Sequence, residues 1–599
     1  MTMVDSKISK VAKRKAVESN ATNKSLQFKK VRAIVPDIEP ENVKKIEHVE
    51  ETYAEEEQES PTTTANKNSY DAHFGEDIQG LQDAISQVQA RKYTTLNSEH
   101  PILQHISTST VLPVTDTSTW TTLSDFSVKQ RLHQPWLKLN SSAMTETQQA
   151  MYRQYCHYGD FMFTDANHKN RVEYRNLYCL HALNHICITR DRILKNNARA
   201  DTQTDLRDQG FTRPKILILV PFRNSAYKII HTLISLVGES QKENMKRFVD
   251  EYGPSKDVPE RKASKPDDFI ATFEGNVDDC FRIGIKLNRK SVKLFAPMYG
   301  SDVIVASPLG MRLPYGDDQD DAIDFLSSIE ITIMDETDVF LMQNWDHVVN
   351  VFENLNKLPK KAHDCDFSRV KQWYLDDKAK YLRQTLCFTS FVTPEINSLF
   401  NSLTNIGGRC RTRTVSHGIT NQVVLQTPQV FLRIPSSSIS EVDDARFNYF
   451  VTNILPSIHR NTHPQTLIMI PSYFDFVRLR NHLSSVSVEF AGLSEYTSKS
   501  KVSRDRALFF QGRLKVMLYT ERIHYFHRYN LKGIQNIVFY SLPDHAEHYV
   551  ELLNMMEKKG GTVSILFSKY DVLKLERIVG GAVTQNILHN PVDKYLLET

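Results

Sequence analysis

At 599 residues the chain exceeds the size at which a single hydrophobic core keeps growing, so two folded domains with accessory segments are expected. Apolar residues make up 40% and aromatics 10%, enough for sizeable cores, while 24% charged residues give a well-solvated surface and suggest no membrane class. A formal charge of +3 is too mild to announce nucleic-acid binding, so the placement of charge matters more than its sum.

From 1 to 69 the chain is polar, poor in aromatics and without sustained periodicity, which predicts a disordered charged tail. Lys10, Lys13, Arg14 and Lys15 form a candidate nuclear localisation signal, and an acidic run follows from Glu50 to Glu59. No apolar run approaches the roughly 20 residues needed to cross a bilayer, and no secretory stretch opens the chain, so an intracellular protein is expected. The seven cysteines, at 156, 179, 187, 280, 365, 387 and 410, include no closely spaced pair and read as reduced thiols.

Residues 70–170 hold Trp120, Trp136, Leu137 and Leu139 among polar residues without a strong strand signal, and are taken as an accessory extension. Between Tyr174 and Leu194 the apolar positions Leu177, Leu180, Leu183 and Ile186 recur at helical spacing, followed by a loop opening with Lys195, Asn196 and Asn197. The rhythm then changes to short apolar runs separated by helix-length segments: Ile216 to Val220, Val303 to Ala306, Ile331 to Met334 and Thr385 to Phe388. After Gly407 and Gly408 it resumes at Thr466 to Ile470, Val516 to Tyr519, Ile537 to Tyr540 and Val563 to Phe567. Strands alternating with helices imply parallel sheets, hence two α/β domains, 171–405 and 431–599, joined by a linker over 406–430.

The most informative stretch is Ile331 to Asp338, where an apolar strand ends abruptly in Asp335, Glu336 and Asp338. Charges at a strand's carboxyl end face the crevice where open α/β sheets bind ligands. In an ATPase such an aspartate holds magnesium and the neighbouring glutamate orients the attacking water. Leu217 to Ala226, with Arg223, resembles a helicase segment that contacts the nucleic-acid backbone, and Asp302 to Gly310, with Ser307, resembles a second. Arg383 to Phe391 resembles the Ser-Ala-Thr region that couples two helicase domains. In the second domain, Thr466 to Ser472 resembles the opening strand and Ser503 to Phe510, with Arg504 and Arg506, the arginine-bearing helix. Four ordered matches in the first domain and a matching series in the second imply two RecA-like helicase-type domains in tandem.

Two features of a working helicase are missing. No Gly-rich loop ending in Gly-Lys-Ser or Gly-Lys-Thr precedes Ile216, so converging amides and a lysine for phosphate oxygens are not encoded. Tyr549 to Met556 stands where a histidine and several arginines would clamp the phosphates. Without these, productive ATP turnover is not expected and no cofactor is assigned.

Arg207 to Ala226, Ser472 to Leu483 and Tyr519 to Tyr540 resemble the digestive organ expansion factor family over roughly residues 70 to 599. The resemblance implies a nucleolar component of the small-subunit processome, associated with a small nucleolar ribonucleoprotein, pre-ribosomal RNA and other processome proteins, with a helicase-like core that lacks ATPase motifs. The competing readings are an ATPase with a rebuilt nucleotide site and a protein scaffold whose RNA association is indirect.

For RNA contact the candidates are Arg223 and Ser307 at strand-end turns, Lys286, Arg289, Lys290 and Lys293 between the matched segments, Arg409, Arg411 and Arg413 in the linker, and Arg504 and Arg506. The alternative for each basic cluster is an ordinary solvated face. Aromatics at Tyr473, Phe474 and Phe476 and from Tyr525 to Tyr529 are candidates for base stacking or for a core. The pairs His524 with His527 and His545 with His548 lack a complete ligand set and read as structural histidines, so no metal is assigned.

Overall fold

Near-continuous apolar runs such as Ile-Leu-Ile-Leu, Val-Ile-Val-Ala and Ile-Thr-Ile-Met can be accommodated only by strands covered on both faces, and each is buried along its whole length. The computed structural model describes residues 69–597 apart from short stretches at 77, 113–116, 142, 200–205, 255–264, 289–290, 315–322, 364, 461–463 and 558–560. The charged tail, with its basic cluster and acidic run, lies outside the described residues, as do Arg289 and Lys290.

In chain order the first eleven strands among the described residues are β1 (Thr94–His100), β2 (Gln104–Thr110), β3 (Asp160–Phe163), β4 (Ile216–Leu219), β5 (Gln241–Glu243), β6 (Arg282–Leu287), β7 (Ser291–Ala296), β8 (Val303–Ala306), β9 (Ile331–Met334), β10 (Gln384–Phe388) and β11 (Arg409–Arg413). They form one sheet in the order β1-β2-β11-β3-β10-β9-β4-β8-β6-β7-β5. Then come β12 (Gln429–Arg433), β13 (Thr466–Ile470), β14 (Phe490–Leu493), β15 (Val516–Thr520), β16 (Asn536–Phe539), β17 (Val563–Phe567) and β18 (Lys594–Leu597), a second sheet in the order β14-β15-β13-β16-β17-β12-β18. The helices that shape the site are α1 (Arg171–Asn197), α2 (Arg223–Val237), α3 (Thr337–Met342), α4 (Tyr473–Ser485), α5 (Lys499–Phe510), α6 (Glu521–His527) and α7 (Ala546–Asn554).

The eight strands expected from the apolar runs are present in mixed α/β sheets. Three other expectations change. The segment 70–170, read as an accessory extension, supplies β3, an interior strand paired in parallel with both β10 and β11. Its signal is weak because Asp160 opens it; that carboxyl is buried, accepts the Thr385 amide at 2.7 Å and is pushed up by burial to about 7. Residues 409–413, read as linker, form β11, an interior strand between β2 and β3. The helix expected over 174–194 runs from Arg171 to Asn197 and is buried on most of its circumference, which hides the one-sided pattern of a surface helix.

Parallel register sets where chemistry can occur. Leu219 lies beside both Ala306 and Met334, and Met334 lies beside Cys387, so the loops after β4, β8, β9 and β10 meet at one edge. The opposite end of β9 is anchored by Glu330, buried with His185 Nε2 at 2.7 Å, Lys215 Nζ at 3.5 Å, Lys371 Nζ at 3.6 Å and the Tyr374 hydroxyl at 2.8 Å. Burial alone would raise its pKa, but the two lysines and His185 hold it well below the usual carboxylate range. A depressed folded pKa stabilises the fold above the ordinary value near 4.5 and withdraws that support as pH falls through the folded pKa. Glu330→Gln, which leaves two lysines without their counter-charge, is therefore expected to cost about 3–5 kcal/mol at neutral pH and to flatten the acid limb of the stability profile in urea titrations.

The two sheets belong to one compact unit, Lys67–Thr599. Between them Phe222, Phe269, Phe273, Val339 and Met342 of the first lobe pack on Tyr525 and Phe526 of the second. Around this cluster Arg528 bridges Asp268 at 2.5 Å and Glu551 at 2.8 Å, and Arg522 donates to the Gln343 carbonyl at 2.9 Å. Phe273→Ala is expected to cost about 3–5 kcal/mol and to split a joint unfolding transition into two, read by urea denaturation with two optical probes.

Candidate functional site

The carboxylate box sits where β9 ends. Asp335 is fully buried and Glu336 almost so. Asp335 Oδ1 accepts from the Tyr174 hydroxyl at 3.1 Å and from the Glu336 amide at 2.8 Å, and Oδ2 accepts from the Tyr178 hydroxyl at 2.8 Å. Glu336 caps α3 in the left-handed region, φ 54° and ψ 45°, a posture uncommon outside glycine. Its side chain is fixed by Ser225 Oγ, which donates to Oε1 at 2.7 Å, and by an ion pair between Oε2 and Arg171 Nη1 at 3.2 Å. Arg175, also buried, adds a second cation, so two carboxylates are matched by two guanidinium groups. Burial and the adjacent Glu336 push the Asp335 carboxyl up, against the pull of Arg175, Arg171 and the Tyr178 hydrogen bond.

The loop 164–170, between β3 and α1, occupies the strand-to-helix position at which phosphate cradles are built. Lys195, Asn196 and Asn197, read as a loop after Leu194, close the helix α1 and have no strand in front of them, so they do not hold that position. The loop 164–170 has no glycine. Five of its amides are turned to protein acceptors: Thr164 to Thr412 Oγ1 at 3.0 Å, Ala166 to the Thr389 carbonyl at 3.1 Å, Asn167 to Asn170 Oδ1 at 2.9 Å, and Lys169 and Asn170 to Asn167 Oδ1 at 3.0 and 3.3 Å. A cradle requires the opposite, successive amides converging on one empty point.

Asp338, the third carboxylate, accepts the Ser390 amide at 3.0 Å and so ties the box to the Thr389–Phe391 turn within the first lobe. Phe391 in turn packs edge-on against His545 of the second lobe at 5.0 Å. There Glu521 gathers the two histidines that spacing alone left unconnected. Its carboxylate accepts the Asp544 and His545 amides at 3.0 Å each and lies 3.0 Å from His548 Nδ1. Glu551, in the segment without arginines, takes His524 at 3.0 Å and Arg528 at 2.8 Å.

The proposed RNA contacts scatter. Arg223 opens α2 but is drawn inward, pairing with Asp278 at 3.1 Å and lying over the Tyr252 ring at 4.9 Å. Ser307 is fully buried and its hydroxyl accepts the Gly310 amide at 2.9 Å, so it caps a helix and cannot meet a phosphate. Lys286 faces Lys293 across the β6–β7 pair, and Lys293 reaches Glu243 at 3.8 Å. Arg409 lies over Tyr93 and Arg411 donates to Asn397 and Asn401, while Arg413 stays largely exposed beside Glu576. Arg506 covers the Tyr529 ring and donates to the Asn530 carbonyl, whereas Arg504 is 70% exposed.

Two matches decide the family. The domain described as "UTP25, NTP hydrolase-like domain" matches residues 158–410, and "Utp25, C-terminal domain" matches 419–597. The chain belongs to the UTP25 family. It is 43% identical over 493 residues to U3 small nucleolar RNA-associated protein 25 of Schizosaccharomyces pombe, spanning 80% of this chain and 75% of that one. The human homolog of that name is 38% identical over 592 residues, 92% of this chain and 78% of that one. Among solved structures, yeast Dbp5 bound to RNA and ADP BeF3 is 12% identical with a TM-score of 0.29, covering 78% of this chain and 94% of that one. The yeast DEAD-box splicing factor Prp28 is 12% identical with a TM-score of 0.30, covering 85% and 95%. The first UTP25 match begins just before β3 and ends within β11, so it takes in the loop 164–170 and the carboxylate box together.

Sequence reasoning missed the residues that surround the carboxylate box of this UTP25-family chain. Arg171, Tyr174, Arg175 and Tyr178 share one face of α1 at spacings of three and four, a stripe of arginines and tyrosines that is buried except for Arg171. That stripe was the available signal. Tyr178→Phe, which removes a donor from a buried carboxylate, is expected to cost about 1.5–3 kcal/mol in urea denaturation.

Proposed function

We propose that this UTP25-family chain is a non-hydrolysing, helicase-shaped assembly factor of small ribosomal subunit biogenesis, working in the nucleolus with pre-ribosomal RNA, a small nucleolar ribonucleoprotein and other processome proteins. The name of its relatives, U3 small nucleolar RNA-associated protein 25, supports the setting. One observation carries the non-hydrolytic part: Asp335 and Glu336 are already neutralised by Arg171 and Arg175 and hydrogen-bonded by Tyr174, Tyr178 and Ser225. Recruiting magnesium to Asp335 would require breaking buried hydrogen bonds to two tyrosines, and the loop that should hold phosphates has turned its amides elsewhere.

Without a nucleotide to bring the lobes together, the apolar cluster around Phe273 and the Arg528 bridge supply a fixed arrangement. A fixed pair of lobes suits a platform better than a motor, which must open and close with each turnover. No helix among the described residues is long and apolar enough to cross a membrane. The test is magnesium-dependent ATP hydrolysis by the purified chain, with and without RNA, for the wild type and Glu336→Gln. Background rates in both are expected. Turnover that disappears in Glu336→Gln would overturn the reading.

A further inference from the structure

The cations picked out by sequence are largely held by internal partners, but Arg504 is 70% exposed, and the surface around it is a candidate for RNA contact. On the second lobe a groove of about 740 Å³ runs between α4 and α5, beside the edge strand β14. Its size falls in the range of small-ligand clefts. Its composition is uncommon for a bare surface. Tyr473 and Tyr496 meet edge to face at 4.8 Å, and Tyr473 lies nearly parallel to Phe476 at 5.9 Å. Tyr496 is 69% exposed although it belongs to this aromatic group.

Three cations line the same groove: Arg480 from α4, and Lys501 and Arg504 from α5, all exposed. The one lining carboxylate, Asp505, is buried and held 3.3 Å from Arg504 Nε. Among the described residues neither Arg480 nor Lys501 is engaged by a carboxylate; the partner of Arg480 is Asn481 at 3.4 Å. The groove is therefore positive, with aromatic faces between its charges.

We propose that this groove binds single-stranded RNA, with a base stacked against Tyr473 and Tyr496 and neighbouring phosphates on Arg480, Lys501 and Arg504. The proposal rests on the RNA-associated assembly role above and names the surface through which that role makes direct contact. Stacking on an aromatic wall needs an unpaired base with a free face, which a duplex keeps inside its own stack. Arginines and lysines on two facing helices suit a charged backbone of any sequence, so sequence-tolerant binding is expected.

The test is fluorescence anisotropy of the full chain with a labelled oligouridine, a labelled RNA duplex and an acidic aromatic peptide, with circular dichroism to check folding. The wild type is expected to prefer the single strand. Tyr496→Ala is expected to weaken it about ten-fold, the loss of one stacked base. Lys501→Glu combined with Arg504→Glu is expected to lower the slope of log affinity against log salt by about 1.4, at about 0.7 for each phosphate no longer neutralised. If both variants bind RNA like the wild type while U3 small nucleolar RNA still co-purifies with the chain, the groove assignment is wrong and the assembly role stands. If U3 small nucleolar RNA fails to co-purify with the wild type, the assembly role fails as well. Binding of the peptide and not of RNA would give the groove to a protein partner and overturn the proposal.

Discussion

A carboxylate at the end of a fully buried strand cannot be left alone. Asp335 closes β9 inside the first lobe, and a buried anion without partners would cost several kcal/mol. The arrangement around it answers that requirement: two tyrosine hydroxyls and a backbone amide reach its oxygens, and Arg171 and Arg175 balance the charge of the box. All four side chains come from one helix, α1, so solvating Asp335 also fixes how α1 lies over the sheet. That helix carries Leu177, Leu180 and Leu183 into the main core, and the packing of the lobe follows from its placement.

The same constraint has a functional side. In a nucleotide-driven machine the carboxylates, the loop amides and the second-lobe arginines stay available for a ligand that comes and goes. Here the comparable groups face other protein groups. The loop 164–170 is stitched to β11 and to the turn after β10, and Glu551 is joined to His524 and Arg528. The lobe junction around Phe273 and Arg528 extends these internal contacts across both halves of the described chain.

The electrostatics of the surface follow a similar division. Arg223 and Arg528 are absorbed into ion pairs or aromatic contacts, as expected where a long side chain can bury its stem and satisfy its head nearby. Exposed cations collect in the groove between α4 and α5, where Asp505 is the one lining acid and is itself buried. Net charge gave no hint of that surface, because opposite charges elsewhere cancel it in the sum.

Hydrophobic runs are the part of this protein that sequence alone determined. Strands such as Ile216–Leu219, Ile331–Met334 and Thr466–Ile470 are legible because burial on both faces demands uninterrupted apolar residues, and their order sufficed to read two tandem α/β domains. The position of the strand-to-helix loop 164–170 was not legible, because the strand in front of it opens with a buried charge. What only the tertiary structure decided is where polar groups find their partners. β3 carries a charge at its first residue, and Asp160 is tolerable there only because Thr385 and Asn405, more than 200 residues away, supply its hydrogen bonds. Ser307 and Arg223 resembled backbone contacts in sequence, but their partners in space turned one into a buried cap and the other into an internal bridge. Asp335 and Glu336 likewise look catalytic as letters. Their role depends on four side chains of α1, and a contact made across the fold leaves no periodicity for a sequence to display.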